Sequence, residues 1–154
     1  MKHPVVPFSV PRKIDPNLVR VRAYWESLER GENPMPFWDD FKFSALPDLS
    51  DRLILIDVFE KPGRFRLNSI GQQLTERYGE TITGKFIDEI ELRNPLEYLP
   101  SQCSATVESR APTYYQHGTD EVEKSPGPVS YSRLLLPMWG NGHIGMLLGI
   151  VDLR

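Results

Sequence analysis

The sequence predicts an α+β domain in which a helix is followed by two strands, a run of short helices and three more strands. Two strand-like segments at 52–59 and 64–70 precede a middle part that is punctuated by Gly71, Gly79 and Gly84. Three further strand-like runs close the chain. The 154 residues fit one domain, and such a chain buries roughly 68–70% of its unfolded surface without a disulfide or metal.

The amino-terminal part predicts an extended lead-in followed by an amphipathic helix. Residues 1–14 are rich in proline and basic residues and show no periodicity. Asp15-Pro16 is typical of a helix start, because aspartate caps free amides and proline is tolerated in the first turn. We place the helix at 15–30, within a domain that spans 15–154. Its apolar stripe consists of Leu18, Val21, Trp25 and Leu28.

The next two segments predict an antiparallel hairpin. Segment 52–59 is apolar apart from Asp57, as expected for a strand that is covered on both faces. Lys61-Pro62-Gly63 forms the predicted turn. Segment 64–70 alternates, which places Phe65, Leu67 and Ser69 on one side of the strand.

The middle of the chain, 71–110, is predicted to be helical. Gly79 ends the first short helix, since glycine adopts the left-handed cap conformation readily. Asn94-Pro95 repeats the start signal of the first helix, and Pro100 either starts a new helix or kinks this one. Leu96, Leu99, Cys103 and Val107 share a face.

The last three strands are predicted at 112–118, 129–139 and 143–153. Gly140-Asn141-Gly142 joins the last two, because Asn-Gly favours a tight hairpin turn. The segment 119–128 is acidic and then rich in proline and glycine, and we expect an exposed loop.

This order of elements resembles the PAS fold, a five-stranded antiparallel sheet with short helices on one face and, here, an N-terminal amphipathic helix. The chain is most similar to the stand-alone PAS-like family common in alphaproteobacteria, over about residues 20–152. The matching pieces are Tyr24-Trp25-Glu26-Ser27-Leu28-Glu29-Arg30-Gly31, Pro36, Ile56-Asp57-Val58, Arg64-Phe65-Arg66-Leu67, the block from Gly71 to Gly79, Thr83-Gly84-Lys85 and Leu135-Leu136-Pro137. One departure is Gly71, where PAS sequences usually have asparagine.

The resemblance implies a sensory module in signal transduction, with a small cavity between helices and sheet. We expect the cavity to be lined by Phe65, Leu67, Ser69, Leu74, Tyr78, Phe86, Cys103 and Val107. The alternative is that these residues are plain core. Ser69 and Tyr78 distinguish a ligand cavity from a plain core, because a buried hydroxyl needs a partner that a ligand could supply.

The residues argue against flavin photochemistry and haem, and the cofactor stays unknown. Cys103 does not lie in the Gly-Arg-Asn-Cys-Arg-Phe type of motif of flavin-binding relatives, so we interpret it as a small core residue. Haem-binding relatives use a helical histidine. His3, His117 and His143 fall in the tail, at a strand end and at a strand start instead, and no metal site is predicted.

The amphipathic helix has two interpretations that are both open. Leu18, Val21, Trp25 and Leu28 pack on the domain's own sheet, or they form a homodimer contact. The helix is too short for a stable coiled coil on its own.

Composition excludes several classes of protein. The net charge is −3 and the basic residues are scattered, so the basic stripe that is typical of nucleic-acid-binding proteins is not predicted. No apolar run approaches the ~18 residues of a membrane span, and no secretion signal is present, so we expect a cytoplasmic protein.

Three functions remain, in this order. The first is a PAS-like sensor that binds a small ligand or a protein partner and signals by association, since the sequence ends after its last strand. The second is a ligand-free protein–protein adaptor. The third, an α+β enzyme, is not expected: familiar nucleophile, zinc and phosphate motifs are missing, and only Asp57 and His117 offer an acid/base pair.

Overall fold

A computed structural model describes residues 8–29, 31, 35–60, 63–118, 130–140 and 142–153. Within them, the helices are α1 (Pro16–Ser27), α2 (Gln72–Tyr78) and α3 (Leu99–Ser109). The strands are β1 (Leu53–Phe59), β2 (Arg64–Ile70), β3 (Thr113–His117), β4 (Tyr131–Gly140) and β5 (His143–Leu153). Short 3-10 turns lie at Trp38–Asp40, Phe43–Ala45, Ser50–Arg52 and Ile87–Glu89. The α+β fold class is confirmed.

Several predicted features lie outside the described residues. They are residues 1–7 of the lead-in with His3, Arg30 at the end of the first predicted helix, Lys61 and Pro62 of the first turn, the loop 119–128, and Asn141 of the last turn.

The five strands form one antiparallel sheet in the order β2-β1-β5-β4-β3. Directly opposed residues of antiparallel strands share a face, so the register divides the sheet into two faces. We call the face that carries Leu67 and Arg133 the inner face; α3 contacts it through β3 and β4. The face that carries Asp57 and Met146 is the outer face, and α1 contacts this side at β4 and β5.

Helix α1 packs on the sheet of its own chain. Leu18 and Val21 are fully buried, Trp25 is 4% exposed, and the Trp25 indole donates a 2.9 Å hydrogen bond to the carbonyl of Pro137. The helix ends three residues earlier than predicted, because the amide of Leu28 bonds the carbonyl of Trp25 and tightens the last turn.

The predicted role of Asp15 as a helix cap is wrong. Its side chain makes no capping bond at the start of α1, and its carboxylate accepts a hydrogen bond from the Ser132 hydroxyl at 2.5 Å instead. Pro16 does stand in the first turn, as predicted. The Asp15 carboxylate therefore bonds a residue of β4, and it is not used to cap the amides at the start of α1.

The middle of the chain is less helical than predicted. Gly79 ends α2 in the left-handed conformation with φ +102, as expected. The following segment bonds the free edge of β2: Gly84 N donates to the carbonyl of Leu67 at 2.6 Å, and Leu67 N donates to that of Lys85 at 2.9 Å. An edge strand therefore supplies the hydrogen-bond partners that a helix would otherwise provide.

The start of α3 is also corrected. The helix begins at Leu99 and not at Asn94-Pro95, and Pro100 occupies its first turn. Proline is tolerated there because its missing N–H has no partner within the helix at that position. Of the two options for Pro100, the new helix start is the one found.

No helix among the described residues is both long and apolar enough to cross a membrane.

Candidate functional site

Four of the predicted cavity residues fill the space between helices and sheet. Leu67, Leu74 and Cys103 are fully buried, and Tyr78 is 3% exposed. The Tyr78 hydroxyl donates a 2.8 Å hydrogen bond to the carbonyl of Glu91, so it needs no ligand partner. Burial raises the pKa of the Cys103 thiol to about 12, as expected for a core cysteine.

Two more of the predicted cavity residues lie on the outer face. A bulge in β2 skips Asn68 in the register, which places Ser69 opposite Leu55 and off the inner face. Phe86 bridges to Arg66 beside β2, and its ring lies 5.4 Å from that of Phe59. Strict alternation along β2 could not have indicated the displacement of Ser69.

The remaining two, Phe65 and Val107, border a pocket at the end of α3. This end pocket has a volume of about 250 Å³ and is also lined by Val58, Arg110 and Ile144. It lies where the two hairpins of the sheet meet the last turn of α3. Both residues were expected to line a cavity between the helices and the sheet, and they border this end pocket instead.

A larger depression of about 420 Å³ lies on the outer face. We call it the outer groove and define it by Trp38, Asp57, Phe59, Arg66, Asn68 and His143. It borders the end pocket, because Phe59 and His143 line both. Sequence reasoning missed the groove, since its residues come from four separate segments.

An ion pair forms the floor of the outer groove. Arg66 donates from Nε and Nη2 to Oδ2 of Asp57 at 3.0 and 2.9 Å, and Asn68 adds a 3.3 Å bond from Nδ2. The Asp57 side chain is 15% exposed and that of Arg66 40%. The carboxylate thus accepts hydrogen bonds from two side chains of its own chain, mainly through Oδ2, and the ion pair carries no net charge.

Trp38 forms one wall of the groove because Gly140 makes room for it. A Cβ at Gly140 would lie 2.3 Å from Cδ1 of Trp38. The segment before Trp38 is held beside β4 by a 2.8 Å hydrogen bond that Trp139 N donates to the carbonyl of Pro36. The indole remains 44% exposed, so an aromatic surface faces the groove from a fixed position.

A buried cation lies on the inner face. Arg133 is fully buried, and its guanidinium donates to Oε1 of Gln102 at 2.7 Å and to the carbonyls of Pro95 and Glu97 at 2.9 and 2.8 Å. Burial lowers the pKa of Arg133. Sequence reasoning missed this residue, and an arginine followed by Leu134, Leu135 and Leu136 was the available signal.

A polar cluster surrounds that cation at the end of β3. The Tyr131 hydroxyl donates to the Glu97 carboxylate, and the ring of His117 stacks on that of Tyr131 at 5.2 Å. His117 Nδ1 lies 2.9 Å from the Tyr115 hydroxyl, and Nε2 lies 3.7 Å from the Glu97 carboxylate. Burial and the hydrogen bond to Glu97 raise the pKa of Tyr131.

The one acid/base pair that the sequence offered, Asp57 and His117, does not form. Asp57 is on β1 and His117 on β3, and β5 and β4 lie between these strands. Three strand spacings separate them by roughly 14 Å, and the two side chains face opposite sides of the sheet. Among the described residues, no group of three or more histidine, cysteine, aspartate or glutamate side chains could hold a metal ion.

No protein-family model and no curated protein matches this chain. Its function is therefore inferred from the fold and from the residues around the two depressions and the buried cation.

Proposed function

We propose that the chain is a PAS-like sensory or regulatory module of the cytoplasm that binds a small apolar ligand in the end pocket and signals by association. A five-stranded antiparallel sheet with short helices over one face is the architecture that the resemblance implies. The order of motifs along the sequence supports the same family.

The observation that carries the proposal is the position of Phe65 and Val107. They come from β2 and α3, they were expected to line a cavity, and both border the end pocket. A volume of about 250 Å³ suits a ligand of one ring or a short aliphatic chain. Ligand pockets with mostly apolar walls and a few polar groups are common in proteins, and Arg110 supplies a polar group here.

Native mass spectrometry of the purified chain tests this proposal. We expect an extra mass that is lost on denaturation. Val107→Trp should abolish it by filling the pocket, and Ser104→Trp, on the exposed face of the same helix, should retain it. A clean apo mass for the unmodified chain, or retention of the mass by Val107→Trp, would overturn the assignment of the pocket.

A ligand-free adaptor is the second candidate. It is favoured by the filled interior, where Leu67, Leu74 and Cys103 are fully buried and the Tyr78 hydroxyl is paired. The partner of such an adaptor would be a second copy or another protein. Because Leu18, Val21 and Trp25 are buried in cis, a homodimer would use the outside of α1, where Val19 is 49% exposed.

Analytical ultracentrifugation tests the dimer. We expect a concentration-dependent dimer that Val19→Glu weakens, while Arg12→Glu in the lead-in does not. A monomer over the whole accessible concentration range would remove the homodimer from the proposal.

A further inference from the structure

The outer groove has the features of a second, separate binding site. Its volume of about 420 Å³ falls within the range of small-molecule pockets. It lies on the opposite face of the sheet from α3. Trp38, Arg66 and Asn68 line the groove and not the end pocket, so the two sites can be tested separately.

The charges around the groove favour a neutral ligand. Asp57 and Arg66 neutralise each other within the floor. Glu60 adds an exposed carboxylate at the rim, which disfavours an anion. A cation would compete for the Asp57 carboxylate with the positive charge of Arg66, which already bonds it through two nitrogens.

Three hydrogen-bonding atoms of the groove have fixed character. Arg66 uses Nε and Nη2 for Asp57, which leaves Nη1 as a donor without a partner among the described residues. Because only the amide nitrogen of Asn68 can donate to a carboxylate, its Oδ1 is an acceptor. His143 Nδ1 lies 2.8 Å from the carbonyl of Ile144 and must carry the proton, so Nε2 of the neutral ring is an acceptor.

Aromatic surfaces complete the groove. The indole of Trp38 is seated against Gly140, and the ring of Phe59 lies 5.4 Å from that of Phe86 and 5.1 Å from Cζ of Arg66. Such surfaces stack flat rings.

We propose that the outer groove binds a neutral aromatic heterocycle, with its ring against Trp38 and its polar edge bonded to Arg66 Nη1 and His143 Nε2. A heterocycle with an amino group beside a ring nitrogen offers the donor and acceptor that these two atoms require. This proposal does not rest on the ligand proposed for the end pocket, although Val58, Phe59, Glu60 and His143 line both depressions.

Titration of the ¹⁵N-labelled chain with adenine, benzoate and benzylamine tests the site. We expect adenine to shift the Trp38 indole N–H and the Gly145 amide saturably, with a dissociation constant on the order of 1 mM or below. Benzoate and benzylamine, which carry opposite charges, should bind at least about tenfold more weakly.

Variants locate the binding. Trp38→Ala should weaken adenine binding about tenfold, the usual effect of losing one stacking partner. Phe43 is another exposed aromatic residue of the same segment, and Phe43→Ala should leave adenine binding unchanged. His143→Phe keeps a ring but loses the acceptor, and should also weaken adenine binding; because His143 lines both depressions, Trp38→Ala is the variant that separates the groove from the end pocket.

Val107→Trp, which fills the end pocket, should leave adenine binding unchanged. Shifts that never saturate, equal binding of either charged probe, wild-type affinity in both Trp38→Ala and His143→Phe, or loss of adenine binding in Val107→Trp would each overturn the proposal. The last outcome would move the heterocycle to the end pocket, whereas failure of the native-mass experiment alone would leave the outer groove untouched.

Discussion

Nε of Arg133 donates a 2.7 Å hydrogen bond to Oε1 of Gln102, and both side chains are fully buried. This bond fixes the amide of Gln102, whose Nε2 donates to Oγ1 of Thr113 and to the carbonyl of Arg133 itself. The amide thereby joins α3 to β3 and β4. A buried polar network of this kind orients the elements around it, provided that each member is satisfied.

Arg133→Met should destabilise the protein by about 2–4 kcal/mol, because Gln102 Oε1 and the carbonyls of Pro95 and Glu97 would lose their donor in a region away from water. Removal of a desolvated charge offsets part of this cost. Urea denaturation would measure the loss, with Arg22→Met on the solvent side of α1 as the control. A loss below about 1 kcal/mol would show that the three acceptors find other partners.

Gly71→Ala should be more destabilising than its ordinary backbone angles indicate. A Cβ there would lie 2.2 Å from the carbonyl carbon and oxygen of Asp51, so the backbone of that turn must move. We expect a loss of about 2 kcal/mol or more.

Gly84→Ala is the matched control for this crowding. Gly84 has φ +86 and open space around a Cβ, so alanine there should cost only about 1 kcal/mol. Thermal unfolding of both variants gives the comparison. A larger loss in Gly84→Ala than in Gly71→Ala would contradict the steric explanation.

The helices and strands were predictable wherever a local signal agreed with the fold. Gly79 marked the end of α2, and the alternation in 64–70 gave β2 with its bounds. The departures come from contacts between distant segments: Asp15 bonds Ser132, and the chain at Gly84 bonds the edge of β2. Sequence periodicity carries no information on such partners.

The sites were less predictable than the fold. Periodicity placed Phe65 and Val107 on faces that point to the pocket side. Ser69 was assigned to the same face of β2, but a bulge that alternation cannot reveal places it on the other one. The outer groove combines Trp38 with residues of three strands, and its ion pair requires the pairing of Asp57 with Arg66 across β1 and β2. That pairing follows from the register, and the register depends on the whole hairpin.

The ion pair of the groove should contribute modestly to stability. Asp57→Ala is expected to cost about 1 kcal/mol, because the bond to Arg66 is bidentate at the guanidinium but the arginine side chain is 40% exposed. A double-mutant cycle with Arg66→Ala in urea should return a coupling of similar size. Zero coupling would mean that water replaces the pair without loss, and Arg20→Ala at the exposed pair with Asp48 provides the reference.

Cys103 should be unreactive in the folded protein, and its buried thiol should lower the free energy of unfolding at high pH. The thiolate is the reactive form, and burial raises the pKa of this thiol from 9.0 to about 12. Ellman's reagent at pH 8 should therefore react at a rate set by unfolding, and urea should accelerate it.

The sign of the pH effect follows from proton binding. Between pH 9 and 12 the unfolded chain has lost the Cys103 proton while the folded chain retains it, so the free energy of unfolding falls as pH rises through this window. The raised pKa values of Tyr115 and Tyr131 act in the same direction. Cys103→Ala should remove only the cysteine's share of the slope, measured by urea titration at pH 8 and pH 10. An unchanged slope in Cys103→Ala, together with rapid labelling of the folded chain, would place the thiol in contact with water.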